Sequence, residues 1–188
     1  MPAGTTSTTV SDLGSGLDWQ VVVKAVDAAG NVSPASNTIT ARTESAESST
    51  LLVNDYDGDP GWPGPNDLNN WCGAGSFSSS GVTDGALRLE YDNGGWMRSQ
   101  IDTSVAEYTT LNLEVKGDSG GEESQFRLEL AGSGDLLSNL TSDSIGTSFS
   151  TVSIDLTAFS FDGAPSSIYL GFWQGGSSAI EIDRIWFE

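Results

Sequence analysis

Of the six tryptophans in this 188-residue chain, five fall after residue 50: Trp62, Trp71, Trp96, Trp173 and Trp186. An indole is a flat apolar surface with a polar edge, which suits half-wet contacts with the C–H faces of sugars. Side chains with fixed donors and acceptors would serve the hydroxyls. Strand parity groups the candidates. Trp96 alternates in phase with Arg98 and Gln100, Arg127 with Gln125 and Glu129, and Tyr169 and Trp173 oppose Ile168, Leu170 and Phe172. If those strands are neighbours, one surface gathers Trp96, Arg98, Gln125, Arg127, Glu129, Tyr169, Trp173 and Gln174. The same residues equally describe a solvated sheet face on which Arg127 and Glu129 pair across strands. Trp62 and Trp71 lie in the Gly-, Pro-, Asn- and Ser-rich stretch 58–84, read as one long loop. They either rim the surface or, in the case of Trp71, plug one end of the fold. Trp186 reads as structural.

Hydrolytic chemistry finds little support. The chain has no histidine, which removes Ser-His-Asp triads, Cys-His pairs and His-ligated metals. Cys72 is the single cysteine; no disulfide within the chain is possible, and a buried, inert thiol is expected. Glu181-Ile-Asp183 resembles the start of the Glu-x-Asp-x-x-Glu strand of laminarinase-like glycosidases. Ile185 and Trp186 occupy the positions where the second glutamate would follow, and the next acid is the terminal Glu188. A retaining glycosidase needs its two carboxyl groups about 5–5.5 Å apart. The chain is therefore expected not to be an enzyme.

Charge narrows the partners. With 26 acidic and 7 basic residues the net charge is −19. Nucleic acid and anionic membrane both call for a basic face and are excluded as expected partners. No run of apolar residues is long enough to cross a membrane as a helix. The first residues lack the pattern of a secretion signal, so an extracellular protein would carry its signal upstream of this chain.

These side chains need sheets to position them. From residue 51 the sequence predicts strands near 51–56, 86–91, 95–101, 109–116, 125–131, 150–156, 167–173 and 179–187, punctuated by Gly-, Asn- and Asp-rich turns. Leu111, Leu113 and Val115 share an inward face, as do Phe126, Leu128 and Leu130, and Val152, Ile154 and Leu156. Ile182 and Ile185 are three apart, and a β-bulge at Asp183-Arg184 would return both to the core. The fold class is all-β, a jelly-roll β-sandwich. Before it, residues 7–43 predict three strands, Thr8–Val10, Trp19–Val26 and about Asn37–Thr43, and residues 44–50 read as a linker.

Two resemblances follow. The run Lys24-Ala-Val-Asp-Ala-Ala-Gly-Asn-Val-Ser and its flanks (about 1–43) resemble the C-terminal half of a fibronectin type III domain, with Trp19 in place of the usual tyrosine. Three strands cannot close a seven-stranded sandwich, so a truncated, loosely packed fragment of a longer protein is expected. Residues 51–188 resemble galactose-binding-like jelly-roll carbohydrate-binding modules. The resemblance rests on Leu51-Leu-Val-Asn-Asp-Tyr-Asp with Asn66-Asp-Leu-Asn-Asn-Trp, on Gly85-Ala-Leu-Arg-Leu-Glu-Tyr, on Phe149-Ser-Thr-Val-Ser-Ile-Asp-Leu-Thr-Ala-Phe and on Ala179-Ile-Glu-Ile-Asp-Arg-Ile-Trp-Phe-Glu. It implies a non-catalytic module that binds a polysaccharide or oligosaccharide and targets a secreted degrading enzyme, its catalytic domain being part of the same native chain. It also implies adjacent terminal strands and a structural calcium, for which Asp55, Asp57, Asp59 and Asp183 are the candidate ligands. A structural or adhesive module of a surface protein is the alternative.

Overall fold

The structure is a computed structural model and describes residues 9–10, 17–42, 50–57, 62–161 and 166–188. The chain divides into two compact units, Met1–Ser49 and Thr50–Glu188. Most of the predicted linker, together with Thr8 and Asp59, lies outside the described residues.

In the first unit, β1 (Asp18–Val21) pairs antiparallel with β2 (Ile39–Arg42). Between them Asp27 holds a turn: its carboxylate accepts from the backbone N–H groups of Ala29 and Asn31, bringing Val26 opposite Val32. The observed strands are shorter than expected, and Thr9 and Val10 are not in a strand. None of the described residues of this unit is buried, and Val21, Val22, Val23 and Ile39 are exposed.

The second unit is a two-sheet sandwich. Its strands are β3 (Leu51–Asn54), β4 (Cys72–Gly75), β5 (Ser79–Thr83), β6 (Ala86–Asp92), β7 (Trp96–Gln100), β8 (Thr110–Gly117), β9 (Arg127–Leu130), β10 (Ser133–Leu136), β11 (Ser150–Asp155), β12 (Ser167–Gly171) and β13 (Ser177–Phe187). One sheet has the order β10-β9-β12-β7-β4; the other runs β11-β8-β13-β6-β5, with β3 also pairing β13. The stretch 58–84 is therefore not a strandless loop, because β4 and β5 lie within it.

Alternation along each strand turns aliphatic side chains between the sheets. Leu111, Leu113, Val115, Phe126, Leu128, Leu130, Val152, Ile154, Ile168, Leu170 and Phe172 are all fully buried. Burying each is worth about 1.5–3 kcal/mol. Phe172 stacks on Phe126 with ring centroids 4.8 Å apart and packs on Tyr91 at 4.6 Å. The first and last strands of the unit do pair: the second half of β13 takes β3 as neighbour, while its first half pairs with β6. The register against β8 shifts between Ile182 and Arg184, leaving Asp183 as the extra residue. This bulge puts Ile182 and Ile185 both in the core.

Leu128→Ala should lower the unfolding free energy by about 2–5 kcal/mol, as a buried leucine truncation does. Val23→Ala, on a side chain 57% exposed, should leave the main urea transition where it was. Equal effects of the two variants would contradict the described division of the core.

Candidate carbohydrate-binding face

The outer surface of the five-stranded sheet is assembled by cross-strand register. Trp96 stands opposite Gly75 on β4 and Gly171 on β12. Arg98 stands opposite Gly73 and Tyr169, and Tyr169 in turn faces Glu129 on β9. Gly171 has Arg127 as its partner on the other side. Trp71 precedes β4; its carbonyl accepts from the Gln100 backbone N–H at 2.9 Å. Because Cys72 is buried, parity turns Trp71 outward with Gly73 and Gly75. Trp71 is 50% exposed.

Glycine decides how the rings lie. A Cβ built on Gly73 would collide with the indole of Trp71, and one on Gly75 would come within 2.8 Å of the Trp96 Nε1. A Cβ on Gly171 would reach the Tyr169 ring at 2.7 Å. The aromatic rings therefore rest against the backbone of the sheet. Trp173, just beyond β12 and 52% exposed, lies against Gly94, where a Cβ would be 3.0 Å from its ring. From the row of Trp71 to that of Trp96 is about 13 Å along the strands at the usual strand rise.

The charged groups differ in how firmly they are held. Arg127 donates to Glu129 at 3.3 Å and to the Gly134 carbonyl at 2.7 Å, and lies 3.5 Å from Asp135. The Arg127–Glu129 pair is thus within one strand, and β10 anchors it. The Arg98 guanidinium sits over the Tyr169 ring, 5.6 Å from its centroid. Arg88, Lys116, Arg127 and Arg184 all have carboxylate partners; among the described residues of this unit, Arg98 is the cation that has none.

Several expected residues have other work. Gln125 precedes β9; its amide oxygen accepts from the Tyr91 hydroxyl at 3.0 Å, and the side chain packs on Gly176. Trp62 packs against the core and meets Tyr56 edge-on at 6.2 Å, with its indole N–H buried and unpartnered. Trp62 therefore packs inward, whereas Trp71 is exposed. Gln174 is exposed beside Trp173. Trp186 lies on the other sheet, under the Arg184 guanidinium at 4.5 Å. Burial pushes the Cys72 thiol up to about 11, which keeps it protonated and non-nucleophilic.

Burial raises the Asp183 pKa, and the charges of Glu114, Asp57 and Asp55 raise it further. Asp67 is raised by burial, and its carboxylate accepts the Asp55 backbone N–H at 2.8 Å. Among the described residues no three acidic, cysteine or histidine side chains converge as a metal site requires; Asp59, the fourth candidate ligand, lies outside them.

No family model and no curated protein matches the sequence. Solved structures do match the fold. The family 30 carbohydrate-binding module of the cellulosomal cellulase Cel9D-Cel44B of Clostridium thermocellum aligns at TM-score 0.53 and 16% identity, covering 74% of this chain and 97% of that one. The family 11 module of the cellulosomal cellulase Lic26A-Cel5E of the same organism aligns at TM-score 0.51 and 13% identity, covering 76% and 95%. At these identities the likeness shows a shared β-sandwich fold.

The raised pKa of Asp183 carries a sign. Its ionised form opposes folding at neutral pH; that penalty is absent below the ordinary value of 3.8 and grows as pH rises through the folded-state pKa. Asp183→Asn should therefore raise Tm at pH 7 and leave it unchanged near pH 3. A lower Tm at pH 7 would show that the carboxylate stabilises the fold.

Proposed function

We propose that residues 50–188 form a non-catalytic module that binds an uncharged polysaccharide or oligosaccharide along the outer face of the five-stranded sheet. The observation that carries this reading is the outward set Trp71, Trp96 and Tyr169 on the five-stranded sheet, with Trp173 exposed just beyond β12 and the rings laid against glycine positions instead of turned into the core. A flat exposed indole costs little to cover and gains apolar contact with the C–H face of a sugar. Arg98 adds donors that no carboxylate among the described residues neutralises, while Arg127 and Glu129 form a fixed donor–acceptor pair. The −19 net charge favours a neutral polymer over an anionic one. Neighbours of the same fold that are themselves carbohydrate-binding modules support the reading.

Contacts of this kind give affinities on the order of μM to mM. In a secreted chain that also carries a polysaccharide-degrading domain, tethering turns such weak binding into a high local concentration of enzyme at the polymer.

Trp71→Ala and Trp96→Ala should each weaken retention on glucan or mannan affinity gels at least about tenfold, equivalent to about 1.4 kcal/mol, with unchanged circular dichroism. Gly75→Val, which displaces the Trp96 ring, should do the same. Binding of a neutral polymer by the native chain should change little with added salt. Full retention of all three variants would remove the site.

A further inference from the structure

The opposite sheet carries a second recess that the aromatic face does not explain. It measures about 350 Å³ and is lined by Thr83, Asp84, Ala86, Arg88, Lys116, Phe149 and Glu181. That volume is within the range of roughly 300–1,000 Å³ usual for small-ligand sites.

Its construction follows from register. Gly81, Arg88, Glu181 and Lys116 occupy one cross-strand row over β5, β6, β13 and β8. Phe149 continues that row immediately before β11, where Ser150 faces Val115. Gly81 has nothing within 4 Å of the position its Cβ would take, and Ala86 is small. The row is therefore hollow at one end and has an aromatic wall at the other. Phe149 is 38% exposed, and the Lys116 ammonium lies over its ring.

The polar groups are pre-set. Arg88 bonds to Asp118 at 2.8 and 2.9 Å, to Glu90 at 2.9 Å and to Glu181 at 2.9 Å. Lys116 lies 2.8 Å from the other Glu181 oxygen. The Asp84 carboxylate and Thr83 hydroxyl lie exposed at the β5–β6 turn, on the rim of the recess.

We propose that this recess is a second carbohydrate-binding site, taking one or two units of an uncharged sugar. The charges select against the alternatives. Two cations stand among four carboxylates, Asp84, Glu90, Asp118 and Glu181, so an anionic ligand meets excess negative charge. A cationic ligand would have to share the Phe149 ring with the Lys116 ammonium, already 4.6 Å from its centroid. A neutral polyol meets neither obstacle, and finds an aromatic edge flanked by fixed donors and acceptors. Because the two sites lie on opposite faces of the sandwich, both can be filled at once, and one module can bridge two polymer chains.

The proposal extends the carbohydrate reading but is tested independently of the aromatic face. The full native chain, Trp96→Ala, Phe149→Ala and Asp84→Asn are titrated with cellohexaose, mannohexaose and xylohexaose to millimolar concentration, following backbone amides by NMR. Asparagine is chosen at Asp84 because it tolerates the positive φ of 52° found there. The amides of Thr83, Asp84, Arg88, Lys116 and Phe149 should shift with at least one hexaose in the native chain and equally in Trp96→Ala. Phe149→Ala and Asp84→Asn should weaken that response roughly fivefold or more, while leaving the response of residues 71, 96 and 98 intact. If residues 71, 96 and 98 respond and residues 83–88, 116 and 149 do not, the second site is overturned and the first stands. The converse result supports the second site and overturns the first. Unaltered binding in Phe149→Ala and Asp84→Asn also overturns the proposal.

Discussion

Everything on the aromatic face depends on the register of β7 between β4 and β12. Met97 and Ser99 on β7, Ile168 and Leu170 on β12, and Cys72 on β4 point into the sandwich and are buried. Since side chains alternate, this leaves Trp96, Arg98, Tyr169 and Trp71 no direction but outward. A slip of one residue would bury the indoles and the guanidinium and expose the aliphatic row. Each aliphatic side chain contributes roughly 1.5–3 kcal/mol, so the core fixes the direction in which the aromatic face points.

Glycine provides the second half of the arrangement. At Gly73, Gly75 and Gly171 the absence of a Cβ lets an adjacent ring settle on the backbone. The result is a set of aromatic rings held against the sheet. Such pre-organisation reduces the entropy lost when a ligand binds. The charged groups are treated differently on the two sheets. On the six-stranded sheet Arg88 and Lys116 are tied into one carboxylate network, whereas Arg98 on the five-stranded sheet lies over the Tyr169 ring and has no carboxylate partner among the described residues.

Much of this was legible in the sequence where strands carry alternating branched and polar residues. The β8, β11 and β12 cores and the bulge at Asp183 follow from period-two parity; the shared face of Trp96, Arg98 and Tyr169 also requires β7 and β12 to be neighbours, which parity does not give and the pairing supplies. What escaped were β4, β5 and β10, built from Cys72-Gly-Ala-Gly, Ser79-Ser-Gly-Val-Thr and Ser133-Gly-Asp-Leu. Their intrinsic strand preference is weak, and they become strands because a strong neighbour offers them a hydrogen-bonding edge. Missing β4 blurred the roles of two tryptophans: the parity of Cys72 turns Trp71 outward, while Trp62 packs inward on Tyr56. Gln125 shares the sequence parity of Arg127, but the strand starts at Arg127, and the glutamine amide serves the Tyr91 hydroxyl. Phe149 carried no signal beyond its place before a strand, because the recess beside it is formed by side chains from four others.

The central claim is that sugar rings lie on the indoles of the five-stranded sheet. Intermolecular nuclear Overhauser effects between a bound hexasaccharide and the native chain test it directly. The account predicts contacts from the indole protons of Trp71 and Trp96 to the carbon-bound protons of consecutive sugar residues. Saturable binding with no contact to either indole would contradict it.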